Sequence, residues 1–132
     1  VLLSDGELDE GSNWEAILFA GHHGLENLVA VVDYNRIQSL GRVAEVLELE
    51  PLADKFRAFG WGVREVDGHD HDALRARFAA GPFAPGRASV LIAHTVKGRG
   101  VDYMENDLAW HYRAPVQPEL LERALKQLAC AP

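Results

Sequence analysis

The 132-residue sequence has very little cysteine and a shortage of positive charge. Its one thiol, Cys130, is the third residue from the end of the chain. A single cysteine forms neither a disulfide framework nor a thiolate metal cluster, and it agrees with a reducing compartment. Thirteen Lys and Arg residues stand against 20 Asp and Glu, which gives a formal net charge of −7. Because such a molecule repels nucleic acid and anionic membranes, we expect neither as a partner, and a phosphorylated ligand needs a cation beside it.

Long hydrophobic runs are also missing from the sequence. The longest apolar stretches, such as residues 28–32, are far shorter than the roughly 20 residues of a membrane-spanning helix. No basic and apolar leader segment is visible. These absences predict a soluble, cytoplasmic protein. The first residues, Val-Leu-Leu at positions 1–3, are typical of the end of a buried strand, so we expect a chain that is truncated at its N-terminus.

Hydrophobic residues make up 48% of the chain, which is enough for one compact domain. Runs rich in β-branched residues predict buried strands at 28–34, 61–66 and 88–95, in addition to the short strand that ends near residue 3. Helices are predicted at 14–23, 51–60, 70–80 and after residue 118, the first of them capped by Ser12 or Asn13 and ended by Gly24. The stretch 41–50 has no clear assignment. This alternation predicts an α/β fold with an open, mostly parallel sheet of about four strands and helices on both faces.

Polar residues directly follow two of the predicted strands. Asp5 and Gly6 come after the first strand, and Asn35 comes after the second. Ligands of parallel sheets bind at the carboxyl ends of the strands, so these residues are expected to face one site. A carboxylate, an amide oxygen and a backbone carbonyl suit Mg²⁺ that holds a diphosphate better than they suit zinc. Gly6 lets the backbone approach phosphate oxygens closely.

Four segments together resemble one known family. SDGELDEGSNWEA at 4–16, with VVDYNRI at 31–37, is similar to the Gly-Asp-Gly motif and the later asparagine of thiamine diphosphate enzymes. FGWGVREVDGHD at 59–70, AHTVKGRGV at 93–101 and WHYRAP at 110–115 follow in the order and at about the spacing of the transketolase family. The resemblance covers nearly the whole chain. It implies a thiamine diphosphate-binding fold, in which residues 1–132 form the C-terminal part of a single diphosphate-binding domain.

The resemblance also implies the cofactors and the residues that hold them. The expected cofactors are thiamine diphosphate and Mg²⁺, with the side chains of Asp5 and Asn35 and the main-chain carbonyl of Ile37 as the metal ligands. Further cofactor-binding residues would be Gly6, Lys97 and His111. His111 would also be a catalytic residue that donates a proton or a hydrogen bond near the reaction centre.

Two acidic residues and three departures from the family pattern add to this expectation. By the resemblance, Glu10 and Glu15 correspond to paired acids near a subunit interface. Ser4 replaces the first glycine of the motif, whereas Tyr112 and Arg113 replace a glycine and a lysine after the histidine. The bulky Tyr112 ring is expected to narrow or reshape a substrate channel, and Arg113 to supply positive charge in place of the lysine.

Plainer interpretations exist for the same residues. Asp5 and Asn35 are residue types that cap strand ends and turns, and Glu10 and Glu15 suit the start of a solvated helix. Lys97 and His111 also suit exposed loop positions. An EF-hand loop that begins at Asp5 is excluded, because no glycine occupies its turn position and no glutamate closes it.

The implied activity is the transfer of a two-carbon ketol unit between sugar phosphates or related acceptors. The chain would need a partner that supplies the aminopyrimidine-binding domain, in a homodimer of a longer chain or a heterotetramer of split subunits. Two alternatives stay open at this point. One is another thiamine diphosphate carboligase, similar to deoxyxylulose phosphate synthase or to enzymes of secondary metabolism, and the other is a non-catalytic assembly subunit.

Overall fold

The chain folds into alternating strands and helices, as seen in a computed structural model that describes residues 1–130. Ala131, Pro132 and the side chain of Cys130 lie outside the described part. The strands are β1 (Leu2–Ser4), β2 (Val29–Tyr34), β3 (Ile37–Gln38), β4 (Gly41–Arg42), β5 (Gly62–Asp67) and β6 (Ser89–His94). The helices are α1 (Gly11–His22), α2 (Val43–Val46), α3 (Leu52–Ala58), α4 (His71–Ala79) and α5 (Pro118–Cys130), with short 3-10 helices at Gly6–Asp9 and Leu108–Trp110.

The main sheet has four parallel strands in the order β1-β2-β6-β5. Ser4 at the end of β1 pairs with Asp33 of β2, and Tyr34 at the end of β2 pairs with His94 of β6. This register aligns the carboxyl ends of three neighbouring strands at one edge. The predicted parallel sheet is therefore confirmed, and the loops after β1, β2 and β6 meet there.

Apolar residues cover both faces of the sheet. Along β6, Val90 and Ile92 belong to a large buried cluster that also contains Ile17 of α1 and Phe56 of α3. Leu91 and Ala93 point to the opposite face of the sheet, where they pack with Val66 and with Leu74 of α4. Because successive side chains of a strand alternate between its faces, a nearly continuous apolar strand requires helices on both sides. The prediction of helices on both faces is confirmed.

The first helix begins earlier than its cap signals predicted. Its N-cap is Glu10, which makes no side-chain capping bond, and Gly11 is already helical. Asn13 instead donates its side-chain N–H to the carbonyl of Glu7 at 2.6 Å. The preceding 3-10 helix therefore leads almost directly into α1, so Ser12 and Asn13 lie in the first turn and the prediction that one of them caps the helix was wrong.

The segment without a sequence assignment forms a small antiparallel ribbon. β3 and β4 pair Ile37 with Arg42 and Gln38 with Gly41, and α2 follows at once. This ribbon extends from the carboxyl end of β2 over the edge where the three strand ends meet.

In the described residues 1–130, no helix has the length and apolar character that crossing a membrane requires.

Candidate functional site

A cavity of about 480 Å³ lies at the carboxyl ends of β1, β2 and β6. The loops after these strands form its floor, and the β3–β4 ribbon and the segment after Trp110 form part of its walls. The predicted metal ligands and cofactor-binding residues all line this cavity: Asp5, Gly6, Asn35, Ile37, Lys97 and His111. The parallel register brings together residues that are up to about a hundred positions apart in the sequence.

Asp5 lies at the bottom of the cavity and is only 2% exposed. Its Oδ2 accepts a hydrogen bond from the backbone N–H of Arg36 at 2.6 Å, which joins the loops after β1 and β2. Burial raises the pKa of Asp5 above its usual value, while backbone hydrogen bonds from Arg36 and Gly6 lower it in part. The neighbouring carboxylate of Asp33 also raises this pKa. Backbone hydrogen bonds and Lys97 therefore compensate the charged form of Asp5 only in part, and a cation beside it would stabilise that form further.

Asn35 is oriented by the turn that follows it. Its Oδ1 accepts a hydrogen bond from the backbone N–H of Ile37 at 3.0 Å. Between them, Arg36 has a φ of 66°, a left-handed conformation that is costly for a residue with a side chain. In this conformation, the backbone N–H of Arg36 points at Asp5 and donates the hydrogen bond to its carboxylate. Because an amide oxygen has two lone pairs, the bond to Ile37 leaves Asn35 one for a metal ion.

Gly6 is the first residue of the 3-10 helix and faces the cavity beside Gln38. A Cβ placed on Gly6 would lie 3.7 Å from Cγ of Gln38, which is ordinary van der Waals contact. Glycine is therefore not required here by backbone strain or by a clash. What glycine provides is a backbone without a side chain at the cavity wall, which a ligand can approach closely.

Lys97 and His111 contribute from the other loops. Lys97 follows β6, and His111 ends the 3-10 helix Leu108–Trp110, with its backbone N–H bonded to the carbonyl of Leu108 at 3.0 Å. Burial lowers the pKa of His111 below its usual value, and the positive charge of Lys97 lowers it further. This shift favours the neutral imidazole, in which one ring nitrogen donates and the other accepts a hydrogen bond.

Carboxylates outnumber the cations around the cavity. Lys97 shares the lining with five acidic residues, namely Asp5, Glu7, Asp9, Glu10 and Asp33. The described residues contain no group of three or more His, Cys, Asp and Glu side chains placed to hold a metal ion. A metal here would therefore depend on neutral oxygens such as those of Asn35 and Ile37, together with the ligand's own oxygens, which is the way in which Mg²⁺ is usually held with phosphates. Without such a cation, an anionic ligand would meet net repulsion.

Buried polar atoms without a partner are concentrated at this site. In the part of the chain that the structure describes, three buried side-chain atoms lack a hydrogen-bond partner: Oδ1 of Asp9, Nε2 of Gln38 and Nδ1 of His111. All three residues line the same cavity. Because buried polar atoms in native proteins are nearly always paired, their convergence indicates a polar ligand that completes them. The oxygen ligands and the Nε2 donor of Gln38 fit a metal–diphosphate group, whereas Oδ1 of Asp9 only accepts hydrogen bonds and is not a partner for a phosphate oxygen.

Sequence reasoning missed Asp9 and Gln38. Neither residue belongs to a pattern that predicts a binding site. The available signal for Gln38 was its position directly after Ile37, a predicted metal ligand. The lack of a partner was not visible, because it depends on which atoms lie opposite in the folded chain.

The departures from the family pattern have distinct surroundings. Ser4 donates its backbone N–H and its hydroxyl to one carboxylate oxygen of Glu7, at 2.7 and 3.0 Å. Tyr112 is 82% exposed, lies edge-on against the His111 ring with centroids 4.7 Å apart, and does not line the cavity. The Tyr112 side chain turns outward from this cavity, and its expected effect on a substrate channel stays a prediction. Arg113 and Glu15 are exposed and outside the lining, whereas Glu10 is at its rim.

Comparisons with known proteins agree with one another. The family model "Transketolase, thiamine diphosphate binding domain" matches residues 1–131. The chain is 44% identical over 110 residues to the 6-deoxy-6-sulfo-D-fructose transketolase subunit SqwG of Clostridium sp. (strain MSTE9), covering 83% of this chain and 40% of that protein. It is 39% identical over 129 residues to an apulose-4-phosphate transketolase subunit of Phocaeicola vulgatus, covering 98% of this chain and 46% of that protein.

The fold has a close counterpart among solved structures. Transketolase from Campylobacter jejuni superimposes with a TM-score of 0.86 at 29% identity, over 97% of this chain and 20% of that chain. The chain spans less than half the length of the two bacterial relatives above and one fifth of the crystallised enzyme. Sequence similarity and backbone geometry therefore indicate the same family.

Proposed function

Because the chain belongs to the transketolase family, whose thiamine diphosphate-binding domain model matches residues 1–131, we propose that it binds Mg²⁺ and thiamine diphosphate. In this proposal, residues 1–132 are the C-terminal part of a single diphosphate-binding domain. The assembled enzyme transfers a two-carbon ketol unit between sugar phosphates or related acceptors. The bound cofactor supplies the electron sink for breaking a carbon–carbon bond next to a carbonyl.

The observation that carries the proposal is the link between the strand ends. Asp5 and the turn after Asn35 are joined by the 2.6 Å bond from the Arg36 N–H. The side chains of Asp5 and Asn35 and the main-chain carbonyl of Ile37 would hold the metal. The diphosphate would lie against the backbone at Gly6, and Lys97 would offset part of its charge. All five residues line one cavity, which supports the proposal.

His111 has the role of the neutral hydrogen-bonding group near the reacting atoms. Its lowered pKa keeps a proton on only one ring nitrogen near neutral pH. A neutral imidazole donates a hydrogen bond to a phosphate or substrate oxygen without adding a charge that must be neutralised. We place His111 as the catalytic residue of this chain.

The partner supplies the aminopyrimidine-binding domain and any further part of the sheet. Similar proteins are named as transketolase subunits, which favours a heterotetramer of split subunits, with a homodimer of a longer chain as the alternative. The name of one relative gives a sulfonated fructose and that of the other gives apulose 4-phosphate. These compounds, with common ketose phosphates, form the first substrate panel.

We also propose that the protein is located in the cytoplasm.

Calorimetry of Mg²⁺ and thiamine diphosphate binding to the assembled protein tests the metal site. Asp5→Ala removes the one charged ligand of the set, so it should abolish Mg²⁺-dependent binding, whereas Asn35→Ala should weaken binding less. Asp72→Ala is the matched control, because its carboxylate is 90% exposed on α4. Equal affinities of wild type and Asp5→Ala in the presence of Mg²⁺ would remove the metal assignment.

Steady-state transfer assays with the partner protein then test the reaction. Transfer of a two-carbon unit from at least one ketose of the panel is expected, with a requirement for both Mg²⁺ and thiamine diphosphate. Tight cofactor binding without any transfer, across the whole panel, would favour a non-catalytic assembly subunit instead.

A further inference from the structure

Gln38 has an unusual environment for a residue of a two-residue strand. It is 6% exposed, it lies in β3 opposite Gly41, and its side chain extends into the cavity beside Gly6. Its Nε2 is one of the buried side-chain atoms of residues 1–130 that have no hydrogen-bond partner. A buried amide donor without a partner is destabilising, so its retention calls for an acceptor that the chain itself does not provide.

The position of Gln38 limits what this acceptor is. Its Cγ and Cδ lie 3.7 and 4.0 Å from where a Cβ of Gly6 would be. The preceding residue, Ile37, is the one whose carbonyl is proposed to face the metal. The amide therefore lies beside Gly6, in the same cavity as the proposed metal ligands, and a diphosphate held in this cavity would offer it acceptor oxygens.

The chemistry of an amide suits this position. The cavity lining holds several carboxylates against Lys97, so a second fixed cation would pair with those carboxylates rather than wait for a ligand. A neutral N–H donor binds an anionic oxygen without being neutralised by the acids around it. Asp9 carries the unpartnered acceptor of the same cavity, yet the two residues make no hydrogen bond with each other.

We propose that Nε2 of Gln38 donates a hydrogen bond to a non-bridging oxygen of the cofactor diphosphate. This makes Gln38 a further cofactor-binding residue, placed on the same ribbon as the Ile37 carbonyl. The inference rests on the proposed binding of Mg²⁺ and thiamine diphosphate. It explains why the ribbon buries a polar side chain where an apolar one would stabilise the chain alone.

The test replaces Gln38 with methionine, which has a similar length and shape but no donor. Gln38→Met should raise the Kd for thiamine diphosphate with Mg²⁺ about tenfold to a hundredfold, the usual effect of losing one hydrogen bond to a charged acceptor. Inorganic pyrophosphate with Mg²⁺ should lose affinity by a similar factor, because it presents the same oxygens. Gln117→Met, an exposed amide outside the cavity, is the control and should leave both Kd values within about twofold.

Thermal unfolding without ligand gives a second readout. Gln38→Met removes an unpartnered polar group, so the ligand-free variant should melt at the same or a higher temperature than wild type. If Gln38 were only a structural residue that is bonded within the chain, the variant would melt lower. Gln38→Glu, which replaces the donor by a charged acceptor of equal size, should bind both ligands still more weakly than Gln38→Met.

The outcomes separate this inference from the proposed function. Failure of wild type to bind thiamine diphosphate with Mg²⁺ would overturn the proposed function and this inference with it. Binding by wild type with an unchanged Kd for Gln38→Met would overturn this inference alone. Weaker binding of thiamine diphosphate with unchanged binding of pyrophosphate would place the contact elsewhere on the cofactor, and it would also overturn the inference.

Discussion

The backbone N–H of Arg36 donates to Oδ2 of Asp5 at 2.6 Å, across two neighbouring strand ends. A main-chain donor is a weaker partner for a buried carboxylate than a metal ion, and burial still raises the pKa of Asp5. The site therefore has a carboxylate that is held in place and only partly compensated. This arrangement links the geometry of the sheet to the cation that we propose to bind beside Asp5.

Asp5→Asn separates the stability of the chain from its function. The raised pKa of Asp5 means that the folded state holds a proton more tightly than the unfolded state, so the contribution of Asp5 to stability falls as pH rises through the folded-state pKa. At neutral pH the neutral amide should therefore raise the Tm of the metal-free protein by a few degrees. Mg²⁺-dependent binding of thiamine diphosphate should be lost in the same variant.

Calorimetric scans of both proteins, with and without Mg²⁺ and cofactor, measure this pair of effects. The Tm of wild type should rise on adding Mg²⁺ and cofactor, while that of Asp5→Asn should not change. If metal-free Asp5→Asn melted well below wild type at pH 7, the buried charge of Asp5 would not destabilise the folded protein, and this interpretation would be wrong.

Ser4→Ala tests the residue that replaces the family glycine. The hydroxyl and backbone N–H of Ser4 donate to Glu7, and these bonds lower the pKa of Glu7 below its usual value. The contact stabilises the folded state above the unfolded-state pKa of Glu7 and is lost as pH falls through the folded-state pKa. Because Glu7 is exposed, removal of the hydroxyl should cost only about 0.5 kcal/mol near neutral pH.

Unfolding in urea at several pH values measures this effect. The difference in stability between wild type and Ser4→Ala should be present at pH 7 and should disappear toward pH 3. Cofactor affinity should stay within about threefold of wild type, because neither Ser4 nor Glu7 is assigned a ligand role. A loss of Mg²⁺-dependent binding as large as that of Asp5→Ala would instead place Ser4 among the binding residues.

His111→Ala should affect turnover far more than folding. Its Nδ1 has no partner within the described residues, and its backbone bond to Leu108 does not need the side chain. Loss of one donor near developing charge commonly costs about 10² to 10³ in rate. We expect a loss of at least about tenfold in kcat, with the Tm within a few degrees of wild type.

The pH dependence of stability gives an independent measurement on His111. Its pKa is lowered by burial and by Lys97, so the unfolded state binds more protons than the folded state below about pH 6.5. This histidine therefore destabilises the wild type as pH falls through that range, and His111→Ala should melt relatively higher there. His22→Ala, an exposed histidine on α1, is the control. An unchanged kcat for His111→Ala would return this residue to a structural role.

Much of the fold was predictable from local sequence signals. β-branched runs predicted β2 and β6 to within about a residue at each end, because strands buried on both faces need such residues whatever their partners. The placement of Asp5 and Asn35 at strand ends was equally visible. Adjacency of their strands followed from parallel topology, and the Arg36 contact with Asp5 agrees with it.

Other features depended on what lies opposite a residue in space. Ser12 and Asn13 have the composition of helix caps, yet a 3-10 helix that contacts the end of β1 carries the chain into α1 before them. Tyr112 follows a predicted site residue, but its ring turns toward solvent. Residues that are adjacent in sequence lie close together in space, but the packing around each side chain sets its direction.

The sequence by itself determined the α/β class, the order of the strands along the chain and the residue types at the carboxyl ends of the strands. These follow from hydrophobic periodicity and from the few residues that suit strand ends. Only the tertiary structure decided that Asp9, Gln38 and His111 converge without partners on one cavity. The physical reason is that a hydrogen bond is satisfied or left open by atoms distant in sequence, and no local pattern records which atoms those are.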